Sequence, residues 1–330
     1  MRTRRLVLCL IIALPILSIT SAESESAGFD PQKSGFSLKF GGEEIPYRVF
    51  GVYTLPNEWV TIRALSRQKN DRFTLAGHGA GKATRKGSGT WMWKAPPEPG
   101  SYSVEVTETH SGSIIRLNVF VLVPYGCMVD GCVEGYRVGN YPEKFYRNNT
   151  IYDKPRGFVR VTQENRHTLV APHFRLEQFL CKQQSGYPKY VVLKEKLLLK
   201  LEYLLEEVNG RGYRANTFHV MSGYRTPVYN KSVGNVRYSR HLWGAAADIF
   251  IDEKPKDGVM DDLNKDGKCD FEDSLVLYEL VDSLQSTSEY KPFVGGLGVY
   301  GRTSAHGPFI HVDIRGSLAR WGSTPSLAQK

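Results

Sequence analysis

Apolar and polar residues alternate through the first third of the chain. Tyr102, Val104 and Val106 alternate with Ser103, Glu105 and Thr107, and after the turn His110-Ser111-Gly112 the series Ile115, Leu117, Val119, Val121, Val123 resumes the pattern. A period of two sends successive side chains to opposite faces, so these segments predict a hairpin with one face buried. Shorter stretches of the same character come earlier: FSLKF, YRVFGVY, WVTIRAL, RFTLAG and TWMWKA, separated by Gly, Pro and Asn turns. Short strands at regular spacing predict a small Ig-like β-sandwich over residues 28–124. Trp91 and Trp93 have faces that suit sugars, but their position in an alternating strand reads as core. With no cysteine and no suggestive cluster of ionisable groups, this region reads as a binding or spacer module.

Residues 125–169, rich in Tyr, Gly, Pro and Asn, read as a linker that packs against the C-terminal half of the chain. Helical periodicity appears later. Leu197, Leu201, Leu204, Leu205 and Val208 mark one helix face, and Asn209-Gly210 supplies a stop. The strand TFHVM then enters the loop SGYRTPVYN, and AAADIFID and FIHVDIRG supply two further strands. A helix mixed with antiparallel strands predicts an α+β fold over residues 170–322.

Targeting and charge narrow the setting. Arg2, Arg4 and Arg5, the apolar stretch 6–19 and the small residues Thr20-Ser21-Ala22 have the order of a secretory signal over residues 1–22. Pro15 and the shortness of the stretch argue against a membrane anchor, and no other long apolar run occurs. The expected location is therefore extracytoplasmic or secreted, and a periplasmic one would follow only from the family resemblance described below. The formal charge of +9 falls to +6 without the three leader arginines. No basic run with interleaved aromatics points to nucleic acid; the excess suits weak attraction to an anionic polymer such as a cell wall. Cys127, Cys132, Cys181 and Cys269 would remain after cleavage, so one or two disulfides are expected, with Cys127–Cys132 the first choice.

Two motifs carry chemistry. In DLNKDGKCDFED, residues 262–273, Asp262, Asn264, Asp266, Asp270 and Asp273 take positions 1, 3, 5, 9 and 12 of a calcium loop. Gly267 permits the turn, and Lys268 offers its backbone carbonyl. Position 12 is Asp rather than Glu, and no clear helix precedes the loop, so it resembles the dockerin type of EF-hand loop. The second motif is spread along the chain. Strand alternation places His311 and Asp313 on one face of FIHVDIRG and Asp248 on one face of AAADIFID. If those strands are neighbours, Asp248 and His311 meet, and the preceding loop brings in His241. Two imidazoles and a carboxylate make a zinc site with an open position, and the alanines between His241 and Asp248 let loop and strand approach closely.

The segments Ser222-Gly223-Tyr224-Arg225-Thr226-Pro227, then Ser239-Arg240-His241-Leu242-Trp243-Gly244-Ala245-Ala246-Ala247-Asp248, then His311-Val312-Asp313 together resemble the M15 family of zinc D-alanyl-D-alanine peptidases. The run 295–322 is similar to its YcbK-like branch. The resemblance covers roughly residues 170–322, is interrupted by the calcium-type loop and leaves out the β region. It implies a hedgehog/DD-peptidase fold, zinc ligands at His241, Asp248 and His311, and a substrate-binding Arg225. It further implies an orienting Ser239; Asp313, two residues beyond His311, reads as a partner that orients a ligand. The implied reaction is hydrolysis of a peptide bond in peptidoglycan stems by a zinc-polarised water. One feature departs from the family: members carry an acid three residues before the last zinc histidine, or a histidine two before it, where this chain has Pro308 and Phe309. His306 is the nearest proton acceptor by sequence. The alternative reading is a zinc-containing wall-binding protein that no longer cleaves.

Overall fold

The computed structural model describes residues 28–66, 71–78, 81–143 and 150–322; the leader expected at 1–22 lies outside them. Nine strands come first: β1 (Lys33–Phe40), β2 (Glu43–Tyr47), β3 (Val49–Thr54), β4 (Trp59–Leu65), β5 (Phe73–His78), β6 (Lys82–Gly87), β7 (Thr90–Lys94), β8 (Gly100–Glu108) and β9 (Ile114–Val121). They form two sheets, ordered β2-β1-β4-β7-β6 and β3-β9-β8-β5. In β4, Val60 and Ile62 are buried while Trp59, Thr61 and Arg63 are exposed. Trp91 and Trp93 are core. Phe36 of one sheet meets Phe73 of the other, with ring centroids 5.1 Å apart. The stretch YRVFGVY holds two strands rather than one. Tyr47 closes β2, and after Arg48 the chain crosses to the second sheet, where β3 runs parallel to β9.

The stretch expected to be a linker forms strands of its own. After β10 (Val123–Pro124) come the hairpin β11 (Cys132–Val133) and β12 (Tyr136–Arg137), then β13 (Gly157–Val161), the hairpin β14 (Leu169–Ala171) and β15 (Phe174–Arg175), and β16 (Lys189–Val191). β13 lies between β10 and β16. Strands of two to five residues complete too few alternations to show a period, and their partners are remote in sequence. The expected disulfides do not form: all four cysteines are free. Val129 and Cys132 exchange backbone hydrogen bonds of 2.9 and 2.8 Å around Asp130-Gly131. That register opposes Val129, not Cys127, to Cys132, and Cys127 sits on an exposed 3-10 turn.

The rest is α1 (Glu195–Gly210), β17 (His219–Ser222), α2 (Pro227–Ser232), β18 (Ala246–Phe250), α3 (Phe271–Ser283), β19 (Gly296–Tyr300), β20 (Phe309–Asp313) and β21 (Ala319–Gly322). The sheet order is β17-β18-β20-β19-β21, antiparallel except for the β19–β21 pair. Strands and helices thus combine as the α+β reading expected. β18 and β20 are central, and every residue in both is buried. Strands covered on both faces lose the polar half of the alternation, which accounts for the small apolar run before Asp248. Gly244, at φ 59°, turns the chain into β18 where a Cβ would stand 2.1 Å from the Val192 carbonyl oxygen. From α1, the fully buried Lys200 donates to the carbonyls of Asp313 (2.8 Å) and Phe293 (3.1 Å), tying the helix to the end of β20. No described helix is long and apolar enough to cross a membrane.

Glu195, in the first turn of α1, accepts a 3.2 Å hydrogen bond from the Tyr53 amide of β3 and so joins the first part of the fold to the second. Burial pushes its carboxyl up to about 7. A raised carboxyl favours the folded state fully below its ordinary range, and that contribution is lost as pH rises toward 7. We expect Glu195→Gln to remove this loss. Its stability advantage over the natural chain should grow between pH 4.5 and 7 by about 2 kcal/mol, read by urea denaturation across that range.

Candidate metal centre

The site is one row of residues running across the five-stranded sheet. Ser222 on β17 is in register with Asp248 on β18, Asp248 with His311 on β20, His311 with Gly298 on β19, and Gly298 with Trp321 on β21. His241 joins from the 3-10 turn Arg240–Trp243 before β18. Its Nδ1–H donates to the Gly223 carbonyl at 2.6 Å, and the Arg225 amide donates to the His241 carbonyl at 3.1 Å. The SGYRTP loop and the His241 turn therefore hold each other. Thr226 caps α2, accepting from the Tyr229 amide at 3.1 Å, with Pro227 in its first turn.

The hydrogen bonds settle which atoms face inward. A carbonyl only accepts, so His241 Nδ1 carries the proton and its Nε2 lone pair is bare. Burial holds this imidazole below its ordinary pKa, consistent with a neutral ring. His311 Nε2 lies 3.3 Å from Asp313 Oδ2 and donates to it, leaving Nδ1 on the inner side. That Nδ1 is 2.8 Å from Asp248 Oδ1 and 3.2 Å from His241 Nε2. Asp248 Oδ1 is also 3.2 Å from His241 Nε2. Burial alone would raise the Asp248 carboxyl, but His241 and His311 hold it far below its ordinary range. Two imidazole nitrogens and a carboxylate oxygen, all within 4.8 Å of one another and all buried, converge on one point. Either one proton on His311 Nδ1 serves both acceptors or a cation serves all three. Burial lowers the His311 pKa, yet Asp248 and Asp313 outweigh it and raise the imidazole overall. This nitrogen–nitrogen–oxygen set fits a borderline-soft divalent ion such as zinc. Among the described residues it is the only gathering of three such ligand groups.

Supporting residues hold the trio. Asp313 accepts from the Gly296 amide at 2.7 Å, from the Arg315 amide at 3.0 Å and from the Arg315 guanidinium at 2.5 Å. Its contact with His311 Nε2 thereby orients that ring. Arg225 Nε donates to Ser222 Oγ at 2.8 Å and Nη2 to Asp248 Oδ2 at 2.5 Å. It binds a ligand group of the site itself, which leaves less of its fork for substrate. Ser239 is buried and lines the cleft over the site. His306 lines the same cleft; its Nδ1–H donates to the Gly307 carbonyl at 2.8 Å, so Nε2 is bare, and its ring meets Phe309 edge-on at 4.9 Å.

The cleft encloses about 800 Å³ and is also lined by residues sequence reasoning missed: Lys182, Arg240, Tyr300, Arg315 and Trp321. Trp321 lies 5.1 Å from His311 by ring centroid and donates to the Tyr300 hydroxyl at 2.6 Å. A Cβ on Gly298 would stand 2.3 Å from its indole nitrogen, and one on Gly296 would stand 2.4 Å from Asp313 Oδ2. Glycines alternating with Leu297 and Val299 inside a strand mark such a close approach, and that signal was present in the sequence.

The calcium-type loop behaves otherwise. Asp262 accepts the amides of Asp266 and Gly267, Asn264 that of Asp266, and Asp266 that of Lys268. Asp273 accepts from Leu263, Asn264 and Asp270, and Asp270 caps α3 by accepting from the Glu272 amide. These bonds close the loop without gathering its acids on one point as the histidine site does, and the calcium expectation gains no support.

Residues 172–272 match the family described as Peptidase M15. The match includes Arg225, Ser239, His241 and Asp248 and ends before His306, His311 and Asp313. It supports a peptidase-type function, and M15 peptidases are zinc-dependent. No curated protein matches the chain closely enough to serve as a relative.

Zinc should bind one per chain, with affinity rising with pH as long as His311 must give up its inner proton; His311→Ala should abolish binding, as read by calorimetry in two buffers. Gly298→Ala should push Trp321 off His311, costing about 1–3 kcal/mol by overpacking, with altered tryptophan fluorescence in the folded state.

Proposed function

We propose that the protein is a secreted zinc peptidase acting on carboxylate-bearing peptides of the peptidoglycan stem type. The observation that carries this reading is the convergence of His241 Nε2, His311 Nδ1 and the Asp248 carboxylate in a cleft whose other charged groups, among the described residues, are cationic. Lys182, Arg225, Arg240 and Arg315 line it, with Asp248 as the one carboxylate among the described residues. Such a lining favours anionic substrates. The M15 match and the leader-like opening support the same reading.

Zinc, held by His241, Asp248 and His311, would supply Lewis acidity to the scissile carbonyl and the attacking water. The chain's own residues do the rest. Arg225 fixes Asp248, Gly223 fixes the His241 tautomer, and Asp313 fixes the His311 ring, so the trio needs no rearrangement to act. A proton must leave the water and reach the departing amine. Outside the trio, His306 is the only imidazole or carboxylate among the described residues lining the cleft. Its bare Nε2 is a competent acceptor, and it occupies the role that the family's acid fills where this chain has Pro308 and Phe309.

His306→Ala should lower kcat on purified muropeptides by about 10²–10⁴-fold, leaving zinc stoichiometry unchanged. Muropeptide mass spectrometry should show a lost terminal residue or an opened cross-link with the natural chain. A natural chain that holds zinc and leaves the muropeptides unaltered would sink the peptidase reading and favour a wall-binding protein without turnover.

A further inference from the structure

The outer face of the sheet β2-β1-β4-β7-β6 lies apart from the metal centre, and its charges are arranged against stability. Cross-strand register puts Lys39 opposite Arg63 and Lys82 opposite Lys94. Like charges directly opposite one another destabilise a sheet. Among the described residues none of the four has an ion-pair partner. Among the described residues the one acid on this face is Glu44, opposite Lys39 on its other side; it accepts from Ser37 Oγ at 2.6 Å, makes no ion pair with Lys39, and leaves the face with a net positive charge.

Lysines on an exposed edge strand commonly serve only to block edge-to-edge pairing. That accounts for Lys82, since β6 is the edge and is exposed along its whole length. It does not account for Lys39, Arg63 and Lys94, which sit on the interior strands β1, β4 and β7. Beside Lys94 in register is Trp59, 51% exposed, with the Lys94 ammonium 5.9 Å from its ring. An open indole among unpaired cations offers a flat apolar surface to a sugar ring and point charges to its acidic groups.

We propose that this face binds an anionic polysaccharide, with Trp59 stacking on a sugar ring and the Lys39–Arg63 and Lys82–Lys94 pairs holding its acidic groups. From residue 59 to residue 63 the strand advances about 13 Å, so the two cationic pairs would engage separate units of one chain. A single exposed aromatic and a preponderance of lysine over arginine favour a glycan over a nucleic acid, which is read by stacked aromatics and forked guanidinium contacts.

The test is calorimetric titration of the full chain with a polygalacturonate oligomer, a dextran of equal length and a DNA duplex. Polygalacturonate should bind and weaken with added salt, while dextran should not bind. The double variants K39Q/R63Q and K82Q/K94Q should each weaken binding by about tenfold, and W59A should weaken it as well. Because the charge variants relieve repulsion, their melting midpoints should be equal to or above that of the natural chain. Failure of polygalacturonate to bind, equal binding of dextran, tighter binding of DNA, or unchanged affinity in the charge variants would each overturn the proposal. None of these readouts depends on whether the metal centre cleaves anything.

Discussion

Three hydrogen-bond acceptors face one another in a dry place. His241 Nε2, His311 Nδ1 and Asp248 Oδ1 cannot all be left without a positive partner, because lone pairs at 2.8–3.2 Å repel and no water dilutes the repulsion. A buried carboxylate carries a desolvation penalty that only close charge and hydrogen-bond partners offset. Much of the surrounding structure answers this requirement. Arg225 neutralises the outer oxygen of Asp248, the Gly223 carbonyl fixes which nitrogen of His241 is bare, and Asp313 draws the other His311 proton outward. Asp313 in turn is held by Arg315, and its carbonyl by Lys200.

The sheet delivers this arrangement through register. Because Ser222, Asp248, His311, Gly298 and Trp321 form one row, the side chains of the four other than glycine share a face at strand spacing. A one-residue slip of β20 against β18 would turn His311 to the opposite face and dismantle the site. The small residues are part of the same device: Gly298 leaves room for the indole beside His311, and Gly244 turns the chain so that His241 and Asp248 reach the same point.

The cleft and the sandwich divide the labour of charge. Around the metal centre the cations are few, positioned and mostly engaged by neighbouring groups. On the outer sheet Lys39, Arg63, Lys82 and Lys94 have no ion-pair partner among the described residues and stand in opposed couples. A protein that cleaved a wall peptide would gain from a separate surface that keeps it on the polymer, since tethering raises the effective concentration at the second site without any new contact there.

Much of this was legible in the sequence where local periodicity is the physical cause. The alternation of Val104 and Val106 or of Ile115 and Leu117 comes from the pleat, and the leucine face of α1 comes from the helical turn, so both fold class and core could be read directly. His241, Asp248, His311 and Asp313 were also visible, because their parity along two strands puts them on named faces. What the sequence alone left open was partnership. It predicted a disulfide at Cys127–Cys132, whereas both cysteines are free and the bridge register pairs Val129 with Cys132. It assigned Arg225 to substrate and gave no sign that this guanidinium also reaches Ser222 and Asp248. It passed over Trp321, Lys182 and the strands within 125–169. These depend on pairings between residues far apart in the chain, and such contacts are set by sheet order and packing, which no local pattern encodes. Sequence determined which residues could do chemistry; only the tertiary structure decided which of them meet, because loop closure over tens of residues leaves no trace in local spacing.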